Sequence, residues 1–207
     1  MKETLRELLA KRFKPASTPG QLSLPDNVTP AAVLVPIFLK DESYHILFTK
    51  RTQTVQKHRG EVSFPGGAFE TKDGSLLNTA LRESNEEIGL NISDVEVLGP
   101  LGDTPTMVSG YVISPYLGVI PYPHEFHLDP YETQEVFEAP VIDLMDKTCF
   151  REEIRVRDGK PSPVYYYSYG DRVIWGATAK ILKQFLSVFE EALAQERMRG
   201  FSVPSDR

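Results

Sequence analysis

The chain carries a single cysteine, Cys149, in 207 residues, so no disulfide can form within it, a composition that fits a reducing compartment. It also lacks any stretch near the ~20 consecutive apolar residues that a membrane-spanning helix needs. Positive charge is not in excess: 23 Lys and Arg stand against 29 Asp and Glu, a formal net charge of −6. That excludes a global basic footprint for nucleic acid and any general pull toward acidic membranes. An anionic ligand must therefore be met by local cations, by backbone N–H groups or by a bound metal ion. The opening MKETLRELLAKRFKP has no continuous apolar core or small-residue cleavage site, and SVPSDR is not a peroxisomal ending of the SKL type. The expected location is cytoplasmic. No internal repeat or long low-complexity tract is visible.

What is present is a mixture of strand and helix signals. Residues 2–13 read as a short amphipathic helix stopped near Pro15, followed by a linker rich in Pro, Ser and Gly. AAVLVPIFL (31–39) and YHILFTKR (44–51) read as consecutive strands turning at KDES. From Leu76 to Ile88 the period becomes helical, with Leu77, Ala80, Leu81, Ser84 and Ile88 on one face and Gly89 as the stop. Strands are expected at 94–99, 111–120, 134–139, 150–156 and 163–169, a helical turn at 141–146, and a last helix at 174–196. In that helix Thr178, Ile181, Leu182, Phe185, Phe189 and Leu193 share a face. Strands and helices without regular alternation imply an α+β domain. The expected division is an N-terminal helix and linker over 1–28, a main domain over 29–197 and a tail over 198–207.

One stretch is chemically unusual. RESNEEIGL (82–90) puts Glu83, Glu86 and Glu87 within about one helical turn, although like charges so spaced repel by roughly 0.2–0.5 kcal/mol per pair. Glu83 and Glu87 lie one above the other at the border of the expected buried face, with Glu86 beside them. Hard divalent cations such as Mg²⁺ take carboxylate oxygens and bridge to phosphates, and such an ion removes the repulsion. Arg82 stands four residues before Glu86, placed to pair with it. Upstream, FPGG (64–67) offers a strand end where backbone can approach closely, because Gly has no Cβ. The other reading of such acids is a solvated face.

These residues resemble the Nudix hydrolases, whose box is written G-x5-E-x7-R-E-U-x-E-E-x-G-U. RESNEEIGL matches its second half with Ser84 in place of an aliphatic residue. The first half has one residue more between Gly67 and Arg82, and Gly74 occupies the expected Glu position, with Asp73 and Glu70 as nearby acids. LFTKRTQTVQKHRGEVSFPGG (47–67) is similar to the signature of the coenzyme A-cleaving subgroup, with Leu47, Thr49, Arg51, Gly60, Phe64, Pro65, Gly66 and Gly67 in register. Gln56 replaces that signature's Arg, and VIWGATAKIL (173–182) resembles the subgroup's C-terminal helix start.

The resemblance implies a Nudix fold, a mixed β-sheet sandwiched between α-helices, here with an extra N-terminal helix. It implies Mg²⁺ or Mn²⁺ held by Glu83, Glu87 and Glu86 with the backbone of Gly67. Glu86 and then Glu70 are the candidate bases, with Arg82 as the aiming residue. Arg51 leads the substrate-binding candidates, with Gln56, Lys57, His58 and Arg59 behind it. The implied reaction is hydrolysis of the diphosphate of coenzyme A or acyl-coenzyme A. The alternatives are another diphosphate such as ADP-ribose or a nucleotide sugar, and a ligand sensor without turnover. The implied partner is a small molecule, with no nucleic acid and no membrane, and a homodimer is left open. Glu132 and Glu135 are acids able to approach the metals from outside the helix, and Tyr111, Phe126 and Tyr131 are aromatics able to stack on adenine. His124 and His127 read as a polar loop rather than a zinc site.

Overall fold

The element that organises the molecule is β1 (Thr29–Lys40), whose residues 34–38 are almost all buried because both faces of the strand are covered. A computed structural model describes residues 5–12, 28–53, 59–106, 110–157 and 159–200. The expected linker, and the signature positions Gln56, Lys57 and His58, lie outside the described residues. Helix α1 (Leu5–Arg12) precedes β1. After it come β2 (Ser43–Arg51), β3 (Val62–Ser63), β4 (Gly66–Ala68), α2 (Leu76–Ile88), β5 (Glu96–Pro100), β6 (Thr104–Pro105), β7 (Tyr111–Val119) and β8 (Thr133–Pro140). The chain continues through α3 (Val141–Leu144), β9 (Phe150–Arg157), β10 (Lys160–Tyr169), β11 (Arg172–Trp175) and α4 (Gly176–Gly200).

The main sheet runs β3-β2-β1-β7-β5, with β8 on β2, β4 on β1 and β6 on β7. Its β1–β7 pair is parallel, from Thr29↔Tyr111 to Ile37↔Val119, and the other pairs are antiparallel. Alternation sorts the side chains: Ala32, Leu34 and Leu47 meet Ala80 and Ile88 of α2 on one face. Val35, Ile37, Ile46 and Phe48 meet Ile181, Leu182 and Phe185 of α4 on the other, where Leu5, Leu8 and Leu9 of α1 join the same core. The mixed sheet between helices is thus the expected one, and α1 packs on its own chain. Among the described residues no helix is long and apolar enough to cross a membrane.

Three expectations are corrected. The last helix starts at Gly176, not at residue 174: Ile174 and Trp175 belong to β11, paired with Tyr167 and Tyr166. Gly176 at φ 65° turns the chain between the two, which periodicity over so short an apolar run could not reveal. Strand β10 reaches back to Lys160 through Pro161 and Pro163, because β11 covers only Tyr166–Tyr169 and a missing N–H is tolerated where one side is open. The strand expected at 94–99 starts at Glu96, after a short 3₁₀ turn at Ile92–Asp94.

Candidate active site

Helix α2 has the predicted bounds, and its ends explain why. Ser75 caps it by accepting the Asn78 N–H at 3.1 Å, and Gly89 at φ 71° stops it, its N–H donating back to the last turn. Ser84, the departure from the aliphatic pattern, is buried and donates its hydroxyl to the Ala80 carbonyl at 2.7 Å, so the polar substitution is satisfied locally. The buried stripe is rotated from the expected one: Thr79, Ala80, Ser84, Glu87 and Ile88 are buried, while Leu77 is only half-buried. Glu87 is therefore inside the helix–sheet interface, not at its border.

The carboxylates have different surroundings. Glu87 is 3 % exposed; its Oε2 accepts the Gly66 N–H at 3.3 Å and its Oε1 lies 3.4 Å from Arg51 Nη1. Burial pushes its pKa up to about 8 against the opposing pull of Arg51 and Gly66, with Glu83 and Glu132 adding to the rise. Glu83 is also raised, chiefly by burial, although Arg82 Nη1 stands 2.8 Å from its Oε1. Glu86 is half-exposed and takes Arg82 Nη1 at 2.8 Å, the predicted pair. A Cβ on Gly67 would lie 2.4 Å from the Glu83 carboxylate, and one on Gly66 would lie 2.3 Å from the Ala32 carbonyl oxygen. Both glycines are required by close approach, Gly67 to the acid and Gly66 to the sheet.

Asp73, the acid next to Gly74, is the partner of Arg82. It is buried, and Arg82 grips it with Nε at 2.7 Å and Nη2 at 3.0 Å. The Thr79 hydroxyl at 2.8 Å and the Glu70 N–H at 3.0 Å also donate to its Oδ2. Arg82 first, then these donors, hold its carboxyl well below the usual range, and Asp73 raises the Arg82 pKa in turn. Arg82 is thus a hub joining Asp73, Glu83 and Glu86, with Glu70 at 3.7 Å.

A loop supplies what the helix does not. His127 and Asp129 donate backbone N–H groups to the Ile88 and Glu87 carbonyls, each at 3.0 Å, satisfying the C-terminal end of α2. Thr52, just after β2, donates its N–H to the Glu132 carbonyl and its hydroxyl to the Tyr131 carbonyl. Held between them, Glu132 places Oε2 3.5 Å from Arg51 Nη2. Glu135 goes elsewhere, pairing with Lys50 and Arg172. Arg59 is exposed in the turn before β3, and Gln56 and His58 lie outside the described residues. The signal for Glu132 was the β2–β8 pairing, which sets Arg51 against Thr133 and is invisible until both strands are in register.

Among the described residues no three His, Cys, Asp or Glu side chains form a ready-made metal centre. The box carboxylates are turned onto Arg82, Arg51 and Gly66 instead. The donor set still suits a hard divalent ion: carboxylate oxygens only, one of them desolvated, against a glycine that a Cβ would block.

Comparison with known proteins agrees with this geometry. The family model described as NUDIX domain matches residues 28–148. The chain is 36 % identical over 173 residues to an uncharacterized Nudix hydrolase NudL from Photorhabdus laumondii, covering 84 % of this chain and 91 % of that one. It is 35 % identical over 181 residues to the Yersinia enterocolitica protein of the same name, covering 87 % and 91 %. In fold it is similar to a MutT/nudix family protein from Enterococcus faecalis, with TM-score 0.55 and 19 % identity over 82 % of this chain and 66 % of that one. It is similar also to a C. elegans Ap4A hydrolase, with TM-score 0.51 and 15 % identity over 84 % and 100 %. A glycine turn packed on glutamates of the box helix, in a chain so matched, makes this protein a member of the Nudix hydrolases, enzymes that hydrolyse pyrophosphate bonds.

Proposed function

We propose that the protein hydrolyses the diphosphate linkage of coenzyme A or acyl-coenzyme A, releasing adenosine 3′,5′-bisphosphate and 4′-phosphopantetheine. The observation that carries this reading is the ungapped segment 47–67. Its Arg51 reaches Glu87, and its last residues, Gly66 and Gly67, bond Glu87 and pack on Glu83.

Glu83, Glu87 and Glu86, with the Gly67 backbone, would hold Mg²⁺ or Mn²⁺, in exchange for the contacts Glu83 and Glu86 now make to Arg82. When bound, such an ion neutralises the diphosphate charge and acidifies a water. Arg51 has an always-charged fork beside Glu87 and Glu132, suited to a phosphate oxygen. Asp73 fixes Arg82, which orients Glu86. Removing the attacking water's proton falls to Glu86 or to Glu132, which faces the same carboxylates from the loop. Glu70 is drawn to Lys72 and Arg82, and ranks behind them. Water's oxygen joins one phosphorus while the bridging oxygen leaves with the other.

Gln56 supports a second reading, another nucleoside diphosphate derivative such as ADP-ribose, since it brings no charge where the subgroup signature has Arg. Incubation with Mg²⁺ or Mn²⁺ and coenzyme A, acyl-coenzyme A, ADP-ribose or NADH, with products identified by mass, separates them. Adenosine bisphosphate from the coenzyme A substrates alone is expected. Turnover of ADP-ribose alone would transfer the assignment to the second reading.

A further inference from the structure

The two residues that end β2 diverge. Arg51 turns to the α2 face and Glu87, whereas Lys50, in phase with Ile46 and Phe48, turns to the α4 face and Glu135, with a register shift between the two. On that second face the edge of the main sheet and the β9–β10–β11 sheet enclose an open groove of about 580 Å³. This volume is in the range that takes a small molecule.

The groove combines cations with aromatic and aliphatic surface. Lys50, Arg155 and Arg172 line it beside Tyr166, Val173 and Trp175. Val173 and Trp175 keep 49 % and 38 % of their surface open, so the sheet presents an uncovered apolar wall rather than a packed one. The acids are arranged unequally. Glu135 serves both Lys50 at 3.8 Å and Arg172 at 3.0 Å, one negative charge for two positive ones. Asp171 also pairs with Arg172, but its side chain is 85 % exposed and well screened. Arg155 has Glu153 at 3.5 Å and is steadied by the Tyr166 hydroxyl at 2.6 Å, while Arg151 lies over the Tyr166 ring. Glu61 also lines the groove. Lys50 and Arg172 are thus less exposed than Asp171, and both line the groove beside the indole.

We propose that this groove is a second ligand site, separate from the carboxylate cluster and on the opposite face of the sheet, for a nucleoside monophosphate. Its phosphate pairs with Arg155, Arg172 and Lys50, and its base lies on Trp175. Guanidinium forks match phosphate oxygens, and an exposed indole is the strongest stacking surface a protein offers a planar base. On the proposed function the groove reads the product side of the reaction: ADP-ribose would release adenosine 5′-monophosphate itself, and coenzyme A its 3′-phosphorylated relative.

Trp175 is the chain's single tryptophan, so its fluorescence reports on the groove directly. Titration of the whole protein, free of added metal, with adenosine 5′-monophosphate is expected to change its emission saturably, and less at high salt. Adenosine without phosphate should bind about tenfold more weakly, and Arg155→Ala or Arg172→Gln should each cost about tenfold in affinity while Arg155→Ala leaves turnover within about twofold. Glu87→Gln should keep the response, which separates the groove from the active site whatever the substrate proves to be. No response at millimolar nucleotide, equal response to adenosine, or an unchanged response in correctly folded Arg155→Ala and Arg172→Gln overturns the proposal.

Discussion

The two faces of the main sheet are built on opposite principles. On the α4 face, Phe48, Phe185, Leu182 and Ile174 belong to one buried cluster that, among the described residues, holds no charged side chain. On the α2 face, a smaller apolar patch shares its helix with Glu87, a carboxylate kept from water, and with the Arg82–Asp73 pair. One face supplies stability by burying hydrocarbon, and the other spends some of it to hold acids where water would otherwise solvate them. The contrast explains why α2 needs so many specific partners. Asp73, Thr79, Gly66 and the loop at 127–132 all fix it, whereas α4 is held by shape and area.

Substitutions can break this contrast. The largest effect is expected from Glu87→Gln, which should lower turnover by orders of magnitude while the circular dichroism spectrum and cooperative unfolding persist. Next, Gly67→Ala drives a methyl into the Glu83 carboxylate and should cost roughly ten- to a hundredfold in activity, with little change in melting temperature, checked by kinetics beside calorimetry. Phe185→Ala does the reverse. It should remove about 3–5 kcal/mol of stability in urea unfolding and leave kcat of the folded fraction nearly intact. Asp73→Asn sits between them, losing about 1.5–3 kcal/mol because Arg82 keeps Glu83 and Glu86. Since the Asp73 pKa is depressed on folding, its contribution is present above the ordinary carboxylate value and fades as pH falls. The mutant should therefore show a flatter acid limb of stability against pH.

Much of the α2 face was legible in the sequence, because its signals are local. The helical period from Leu76, the spacing of Glu83, Glu86 and Glu87, and the stop at Gly89 fix α2 without reference to the rest of the chain, and Arg82 meets Glu86 as i, i+4 geometry requires. Asp73 was visible only as a nearby acid; its grip on Arg82 depends on the left-handed turn at Gly74. The burial of Glu87 was not legible, since the sheet decides which way the helix rolls. Glu132 and the groove at Lys50 depend on strand register between distant segments, which no local pattern encodes. The boundary of α4 was misread for a similar reason: Ile174 and Trp175 are apolar in either element, and only pairing with β10 makes them strand.

Glu87 is a desolvated carboxylate, and its proposed role is to take up a divalent cation. In the metal-free protein its proton is retained to about pH 8, whereas the unfolded chain releases it near 4.5. The native state then binds the extra proton between those values, so stability falls as pH rises across that window, and above it the charged acid is a net cost. The direct measurement is thermal unfolding at pH 8.5, with and without millimolar Mg²⁺, for the wild type and Glu87→Gln. The account predicts that metal-free Glu87→Gln melts above the metal-free wild type, and that Mg²⁺ raises the wild type but not the variant. Equal melting temperatures without metal, or the same Mg²⁺ shift in both, would contradict it.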